Sequence, residues 1–191
     1  MLKAYILACT AIITTCLLSS CGSGSPKNGV IVSVKDQKML LVKDGEPVKT
    51  YPVSTSKFGL GNKRGSNRTP IGKMEVAKKI GSGAPSGAVF KSRRRTGEVL
   101  RPNAPGRDPI VTRILWLDGK EGKNRNTFRR YIYIHGTPEE RTIGYPRSYG
   151  CIRMKSHDVI DLYKQVAVGS QVNVIKGPLT STSAGREYAL N

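Results

Sequence analysis

Cysteine and histidine, the residue types that most often carry covalent or metal chemistry, are scarce in this sequence. It has two histidines and four cysteines, and three of the cysteines, Cys9, Cys16 and Cys21, lie within the first 21 residues. Without that stretch Cys151 is the single thiol, so no disulfide can form within the rest of the chain. A zinc site, which takes several cysteine or histidine ligands, is poorly supplied. We predict no metal and no organic cofactor.

Charge is missing between Ala4 and Leu18, an apolar run of 15 residues. Such a run is shorter than the roughly 20 residues that span a bilayer, and it fits the pattern of a secretory signal. It ends in Leu-Ser-Ser-Cys, which resembles a bacterial lipobox, so we predict a lipoprotein signal peptide at 1–20, a lipidated Cys21 and a flexible tether at 21–28. An ordinary signal peptide and an uncleaved anchor are the alternatives. All three export the domain, and the first predicts a membrane-anchored lipoprotein that faces the periplasm or cell wall.

Acidic residues are also few, with 13 Asp and Glu against 32 Lys and Arg, which gives a formal net charge of +19. This excess favours polyanionic surroundings such as nucleic acid, phospholipid head groups, or cell-wall phosphates and carboxylates. Export argues against a nucleic-acid partner, and the sequence has no nucleic-acid-binding pattern. For most of these charges, including the Arg93–Arg95 triplet, a solvated basic surface is the simpler interpretation.

After the signal, apolar residues mostly alternate with polar ones, which is the pattern of half-buried β-strands. One helix is predicted, with Ser156 as its N-cap and Gly169 at its end, because the apolar residues between them share one helical face. We predict a mainly β domain at 29–176. The segment 81–109 is predicted to be a long surface loop, and 177–191 a disordered tail. Strands are predicted at 30–34, 39–42, 48–53, 73–80, 110–117, 131–134 and 172–175.

Reactive side chains are concentrated in the stretch Ile134–Met154. His135 follows an apolar strand and precedes Gly136, and Cys151 follows Gly150 sixteen residues later. A leftover thiol in an exported protein is reactive, paired with another molecule, or buried for structural reasons. A neighbouring imidazole can draw the thiol proton and form a thiolate–imidazolium pair near neutral pH. The flanking glycines would leave backbone N–H groups free to receive an oxyanion.

This stretch resembles the signature of the YkuD-type L,D-transpeptidases, cysteine enzymes that act on bacterial peptidoglycan. In that signature a histidine and glycine are followed, after a gap, by Ser/Thr-x-Gly-Cys and an apolar residue. The matching positions here are His135, Gly136, Ser148, Gly150, Cys151 and Ile152. The Thr69–Gly72 element is also similar, and the likeness covers 29–175. Two positions depart from the pattern, because many members have histidine in place of Tyr149 and some have asparagine in place of Arg153.

The resemblance implies a β-sandwich of antiparallel or mixed sheets with a nucleophilic cysteine in a groove. Cys151 would attack the carbonyl of the third, diamino residue of a tetrapeptide stem, expel D-alanine and form a thioester. His135 would take the thiol proton, and the Gly136 carbonyl would orient the ring from its other nitrogen. The N–H groups of Gly150 and Cys151 would form an oxyanion hole, and Arg153 would pair with a stem carboxylate or form a structural ion pair. The oxyanion and substrate-binding candidates are Ser148, Tyr149, Gly150 and Arg153.

The acceptor of the thioester decides the reaction. An amine of another stem gives a 3-3 cross-link, a lysine of a lipoprotein anchors that protein, and water makes the enzyme an L,D-carboxypeptidase or cross-link hydrolase. We predict a transpeptidase whose partners are peptidoglycan stem peptides, the membrane through its N-terminal lipid, and a lipoprotein acceptor. A non-catalytic wall-binding module with a buried Cys151 is the alternative from another class. A catalytic Cys151 is expected to alkylate fast below the free-thiol pKa of about 8.5.

Overall fold

The computed structural model describes residues 25–191, so the predicted signal peptide and Cys21 lie outside the described residues. This part of the chain forms ten strands and two α-helices, with short 3-10 helices between some of them. The strands are β1 (Gly29–Ser33), β2 (Lys38–Lys43), β3 (Glu46–Pro52), β4 (Gly72–Ile80), β5 (Ala88–Lys91), β6 (Arg94–Val99), β7 (Ile110–Gly119), β8 (Tyr133–Gly136), β9 (Ile152–Met154) and β10 (Gln171–Ile175). The helices are α1 (Ser156–Gln165) and α2 (Ser183–Leu190).

The ten strands share one hydrogen-bonded network in the order β3-β2-β1-β10-β4-β7-β5-β6, with β8 paired to β7 and β9 paired to β8. β1 runs parallel to β10 and β8 parallel to β9, whereas the other pairs are antiparallel. α1 follows β9 and leads to β10. The predicted fold class is confirmed: the protein is mainly β, its sheet is mixed, and one main helix follows the cysteine.

The central strands are buried on both faces. In β1, Val30 and Val32 pack into the main core with Leu162 of α1, whereas Ile31 packs with Leu179 in a second cluster. Successive side chains of a strand point to opposite faces, so one strand serves two cores when both faces are covered. No residue of β1 is exposed, which explains its continuous apolar run.

An aromatic cluster supports the segment that carries Cys151. Trp116 of β7 stacks on Phe128 with ring centroids 4.1 Å apart, and it meets Tyr133 of β8 edge-on at 5.5 Å. Aromatic pairs of this kind contribute about 0.5–1.5 kcal/mol beyond their buried area. Cys151 is partly buried and packs against this cluster, so the thiol lies on a rigid surface.

The segment 81–109 is not a single loop as predicted, because it contains the hairpin of β5 and β6. All six residues of β6 are exposed, and the strand includes two arginines and a glycine. A strand with neither face buried has no apolar alternation to detect. The prediction therefore failed at β6, whose sequence carries no such pattern.

The predicted disordered tail is also wrong, since the structure folds it into the 3-10 helix Leu179–Ser181 and then α2. Leu179 is 7% exposed and Ala184 2%, and both pack on the outer face of β1 and β2. Thr182 caps α2 by accepting a hydrogen bond from the Gly185 N–H at 3.1 Å. Two buried apolar side chains and a cap are enough to dock this segment despite its polar composition.

Smaller differences concern the boundaries of elements. The end of the predicted tether contacts the domain, because the Gly45 N–H donates to the Lys27 carbonyl at 2.8 Å. α1 ends at Gln165 rather than near Gly169, and Ser156 is its first residue after the N-cap Lys155. Among residues 25–191 there is no helix of the length and hydrophobicity needed to cross a membrane.

Candidate active site

The parallel pairing of β8 with β9 brings the two halves of the sequence motif together. His135 pairs with Arg153 in the register of the two strands, and Cys151 lies immediately before β9. The Tyr133 N–H of β8 points at the Cys151 sulfur, with nitrogen and sulfur 3.4 Å apart. Cys151 and His135 both line one cavity of about 140 Å³, whose other lining residues are Asp108, Ile110, Ser148, Tyr149 and Arg153.

The His135 ring is buried and held in one tautomer. Its Nδ1 lies 2.8 Å from the Gly136 carbonyl oxygen, which can only accept, so Nδ1 carries the proton and Nε2 is free to accept one. Burial lowers the pKa of His135, which outweighs the raising effects of the Gly136 hydrogen bond and of Asp108. At neutral pH the imidazole is therefore uncharged and suited to act as a base.

Gly136 has a steric reason to be glycine. A Cβ at this position would lie 2.7 Å from the Val111 carbonyl oxygen and 3.0 Å from the Thr112 Cβ. β8 approaches β7 here at the bulge between Val111 and Ile114. The missing side chain thus lets the strand that carries His135 pack closely on its neighbour.

The Cys151 thiol is protonated at neutral pH. Burial raises its pKa to about 11, although the Tyr133 hydrogen bond and the charge of Arg130 act in the opposite direction. Burial thus favours the neutral forms of both groups over the predicted thiolate–imidazolium pair. The arrangement is a neutral thiol beside a neutral imidazole, in which the proton can move as the sulfur attacks.

The turn before Cys151 is organised by Ser148. Its hydroxyl donates to the Cys151 carbonyl and accepts from the Gly150 N–H at 3.2 Å. The Ser148 backbone is fixed in turn, because its N–H donates to the Thr55 carbonyl at 2.9 Å. Gly150 has φ of 121°, a region that favours glycine. The turn is thus held by side-chain and backbone bonds on both sides.

This geometry corrects the predicted oxyanion hole. The Gly150 N–H already donates to Ser148, so it is not available to an oxyanion in this conformation. Within residues 25–191 the N–H groups of Tyr149 and Cys151 donate to no hydrogen bond. These two amides are the free donors next to the sulfur, and two amides are what such a hole requires.

Arg153 forms the structural ion pair that was one of its two predicted roles. Its side chain is 3% exposed, and Nη1 contacts a carboxylate oxygen of Asp108 and one of Glu139, the latter at 3.3 Å. Nη2 donates to the hydroxyls of Ser54 at 3.1 Å and Thr142 at 2.9 Å. Both terminal nitrogens are occupied, so Arg153 does not offer the bidentate face that a substrate carboxylate would need.

The comparisons with known proteins agree with this site. The sequence model of the YkuD L,D-transpeptidase catalytic domain matches residues 27–174. The chain belongs to this family. Two relatives from Escherichia coli K12 are named "Probable L,D-transpeptidase YcfS", 26% identical over 81% of this chain and 46% of the relative, and "Probable L,D-transpeptidase YbiS", 27% identical over 83% and 54%. The chain thus spans about half the length of these relatives.

Solved structures share the fold of this YkuD domain. An L,D-transpeptidase domain from Xylanimonas cellulosilytica matches with a TM-score of 0.52 at 18% identity, over 81% of this chain and 63% of that one. L,D-transpeptidase 3 from Mycobacterium tuberculosis, solved with a faropenem-derived adduct, matches with a TM-score of 0.51 at 18% identity, over 80% and 61%. At these identities the likeness concerns the fold.

Tyr149, where many members of the YkuD family have histidine, lies on the surface of the site. Its side chain meets Phe58 edge-on with centroids 5.6 Å apart, and its hydroxyl accepts from the Lys57 ammonium at 2.9 Å. Tyr149 lines the catalytic cavity and also a neighbouring cavity of about 290 Å³. It therefore separates two openings around Cys151.

The second cavity of the YkuD domain is basic, and sequence reasoning missed it. Arg64, Arg129 and Arg130 line it together with Tyr131. Arg130 is anchored, because its guanidinium donates to the carbonyls of Gly61 at 3.0 Å and Arg68 at 2.6 Å. We assigned most basic residues to a solvated surface, and only the fold shows that these three meet beside Cys151. The Arg-Arg pair before the β8 strand was the available signal.

Asp108 is the other functional candidate that the sequence did not reveal, since it lies in the segment predicted as a surface loop. Its carboxylate accepts from the Thr137 hydroxyl and from Arg153 in the wall of the catalytic cavity. Across residues 25–191, no three His, Cys, Asp or Glu side chains are grouped as metal ligands would be.

Proposed function

We propose that this protein is a peptidoglycan L,D-transpeptidase. Cys151 attacks the carbonyl between the diamino residue and the terminal D-alanine of a tetrapeptide stem, and the resulting thioester passes to an amine. The observation that carries this proposal is the shared cavity of Cys151 and His135, with Nδ1 held by the Gly136 carbonyl. Family membership supports the same chemistry.

The neutral ground state sets the order of proton movements. As the sulfur bonds to the substrate carbonyl carbon, its proton passes to Nε2 of His135, which carries none. The Gly136 carbonyl holds the Nδ1 proton and stabilises the imidazolium that forms. His135 then gives the proton to the departing D-alanine nitrogen, and the C–N bond breaks to leave the thioester.

The developing negative charge on the substrate oxygen is met by the two free amides. The N–H groups of Cys151 and of the nearby Tyr149 donate to no hydrogen bond within the described chain. Loss of one such donor costs about 3 kcal/mol of transition-state stabilisation. Ser148 contributes by fixing the turn that presents them.

The compartment forms part of the proposal. The apolar run of residues 4–18 and the Leu-Ser-Ser-Cys sequence support export and lipid attachment at Cys21, which would hold the domain at a membrane surface next to the cell wall. The net charge of +19 suits an anionic polymer as the surroundings. An anchored domain would reach stem peptides, and a lipoprotein lysine is a second acceptor within the same chemistry.

Incubation of the purified protein with disaccharide-tetrapeptide, followed by mass spectrometry, tests the proposal. We expect a cross-linked dimer and released D-alanine, and no product from Cys151→Ala. Tripeptide without dimer would instead identify an L,D-carboxypeptidase, and cleavage of a preformed 3-3 dimer would identify a cross-link hydrolase. Binding to the peptide without any reaction would indicate a wall-binding module.

A further inference from the structure

A single acidic side chain lines the catalytic cavity. Of the seven lining residues, Asp108 alone carries a carboxylate, in a chain with 32 basic and 13 acidic residues. Asp108 belongs to the segment that precedes β7, so it is not part of the sequence motif that contains His135 and Cys151. Its charge influences both reacting groups, because Asp108 raises the pKa of His135 and of Cys151.

The Asp108 carboxylate is held in place but is not saturated. One oxygen accepts from the Thr137 hydroxyl and the other from Arg153. A carboxylate offers about four acceptor positions, so about two remain. The side chain is 27% exposed whereas that of Arg153 is 3% exposed. Within this ion pair, the carboxylate of Asp108 is therefore the group that a ligand can contact.

Arg153 does not neutralise this carboxylate by itself. Its guanidinium is shared with Glu139, whose oxygen lies 3.3 Å from Nη1. Two carboxylates on one guanidinium leave an excess of negative charge in the wall of the cavity, and a cation placed there would complete the pairing.

The guanidinium of Arg153 also has one donor without a partner. The Nε atom of Arg153 is buried and has no hydrogen-bond partner among the described residues, although Arg153 lines the cavity. A buried donor without a partner is costly and needs an explanation. Because Nε is buried, a ligand does not contact it in this structure, and the donor does not define the site.

The two cavities beside Tyr149 differ in charge. The larger one is lined by Arg64, Arg129 and Arg130, which would repel a cation and attract an anionic peptide. The catalytic cavity holds Asp108. This difference separates an anionic acyl donor from a cationic acceptor on the two sides of the nucleophile.

We propose that Asp108 binds the ammonium group of the acyl acceptor. This inference rests on the proposed transpeptidase function. The docked ammonium loses one proton to water, and the neutral amine attacks the thioester carbon. The C–N bond forms, the C–S bond breaks, and the second proton passes through Nε2 of His135 to the Cys151 thiolate.

The test uses the full chain with a disaccharide-tetrapeptide whose side-chain amine is acetylated, so that it acts as donor only. Disaccharide-tripeptide with a free amine is the acceptor. Mass spectrometry gives the ratio of cross-linked to hydrolysed product, which does not depend on how fast the thioester forms. We expect Asp108→Asn to lower this ratio about tenfold or more, since it removes a charge-assisted hydrogen bond.

Glu98→Gln is the control, because Glu98 is a carboxylate that pairs with Arg107 and neither contacts Arg153 nor lines the cavity. We expect it to change the ratio less than about twofold. Equal effects of the two substitutions, or none from Asp108→Asn, would overturn the proposal. If the wild-type protein shows no mass increase at Cys151 before acceptor is added, the transpeptidase function itself fails, and this inference falls with it.

A measurement on the wild-type protein covers the case in which Asp108→Asn does not fold. A tripeptide with a trimethylated side-chain amine keeps the positive charge but cannot attack, and an acetylated one has no charge. We expect the trimethylated peptide to suppress transfer and shift the products towards hydrolysis, and the acetylated peptide to have no such effect. Equal suppression by both peptides would contradict a cation site at Asp108.

Discussion

Cys151 and His135 are both kept uncharged by the same cause, which is burial. Burial raises the pKa of Cys151 to about 11 and lowers that of His135. A resting ion pair would need both shifts to have the opposite sign. In the free protein the thiol is therefore unreactive, and it becomes a nucleophile only when a substrate carbonyl lies beside it. A protonated thiol also oxidises slowly.

The pH dependence of alkylation tests this ground state. A thiol of pKa about 11 is thiolate in only about one molecule in ten thousand at pH 7. We therefore expect iodoacetamide to label Cys151 slowly at neutral pH, with a rate that rises about tenfold per pH unit up to at least pH 9. Peptide-resolved mass spectrometry separates Cys151 from the other cysteines. A rate that is already constant between about pH 6 and 8 would contradict the prediction and restore the ion pair.

Ser148 is the residue on which the turn of the nucleophile depends. Ser148→Ala would leave the buried Gly150 N–H and the Cys151 carbonyl without the hydroxyl that joins them. We expect acylation of Cys151 by tetrapeptide to slow at least about tenfold, because small displacements of a reacting atom are costly. Ser148→Thr keeps the hydroxyl and is expected to retain most of the rate. If the two variants react equally fast, the hydroxyl does not position the turn.

At the level of elements, the motif was predictable and its surroundings were not. His135, Gly136, Ser148, Gly150 and Cys151 stand at a recognisable spacing, and β8 and β9 bring the two halves together. β9 itself has three residues, too few for any periodicity to be detected. The hydrogen bond from the Gly150 N–H to the Ser148 hydroxyl could not be predicted either, because a side-chain contact within a turn produces no periodic pattern in the sequence.

The acidic wall of the cavity was unpredictable for another reason. Asp108 lies 45 residues before Arg153 in the sequence, in a stretch rich in proline, glycine and arginine. Only the pairing of β7 with β8 places the segment before β7 beside His135. The same holds for Arg64 and Arg129, which come from a loop and from the 3-10 helix Phe128–Arg130. Contacts between distant loops follow from topology, and composition does not encode them.

The docked C-terminal segment is an element whose contribution can be measured. Leu179 is 7% exposed and packs on Ile31, Leu40 and Val42, whereas Leu190 is 88% exposed. We expect Leu179→Ala to lower the free energy of unfolding by about 2–3 kcal/mol, near the lower end of the range for buried leucine because the cluster is small. Leu190→Ala is the control and should change it by less than about 0.5 kcal/mol. Urea titration measures both, and equal stabilities would show that the segment is not docked in solution.

For the whole molecule, the distribution of charge matters more than its total. The net charge of +19 produces a field that attracts anionic polymers from a distance. Close to Cys151 the charges are divided between two cavities. Arg64, Arg129 and Arg130 line one of them, and Asp108 lines the other. The long-range field would attract an anionic polymer, and the local difference would orient a bound peptide.

The salt dependence of the acylation rate should show how much these charges contribute, apart from the reactivity of the thiol itself. Because the screening length falls from about 10 Å at 0.1 M salt to about 3 Å at 1 M, we expect acylation of Cys151 by the anionic tetrapeptide to slow several-fold over this range. Arg129→Gln should slow it at low salt about threefold, and Arg94→Gln, which removes another exposed charge on β6, should have a smaller effect. Iodoacetamide is uncharged, so its reaction with Cys151 should depend little on salt. If salt slowed both reagents equally, it would act on the buried thiol, and the basic cavity would have no part in attracting the donor.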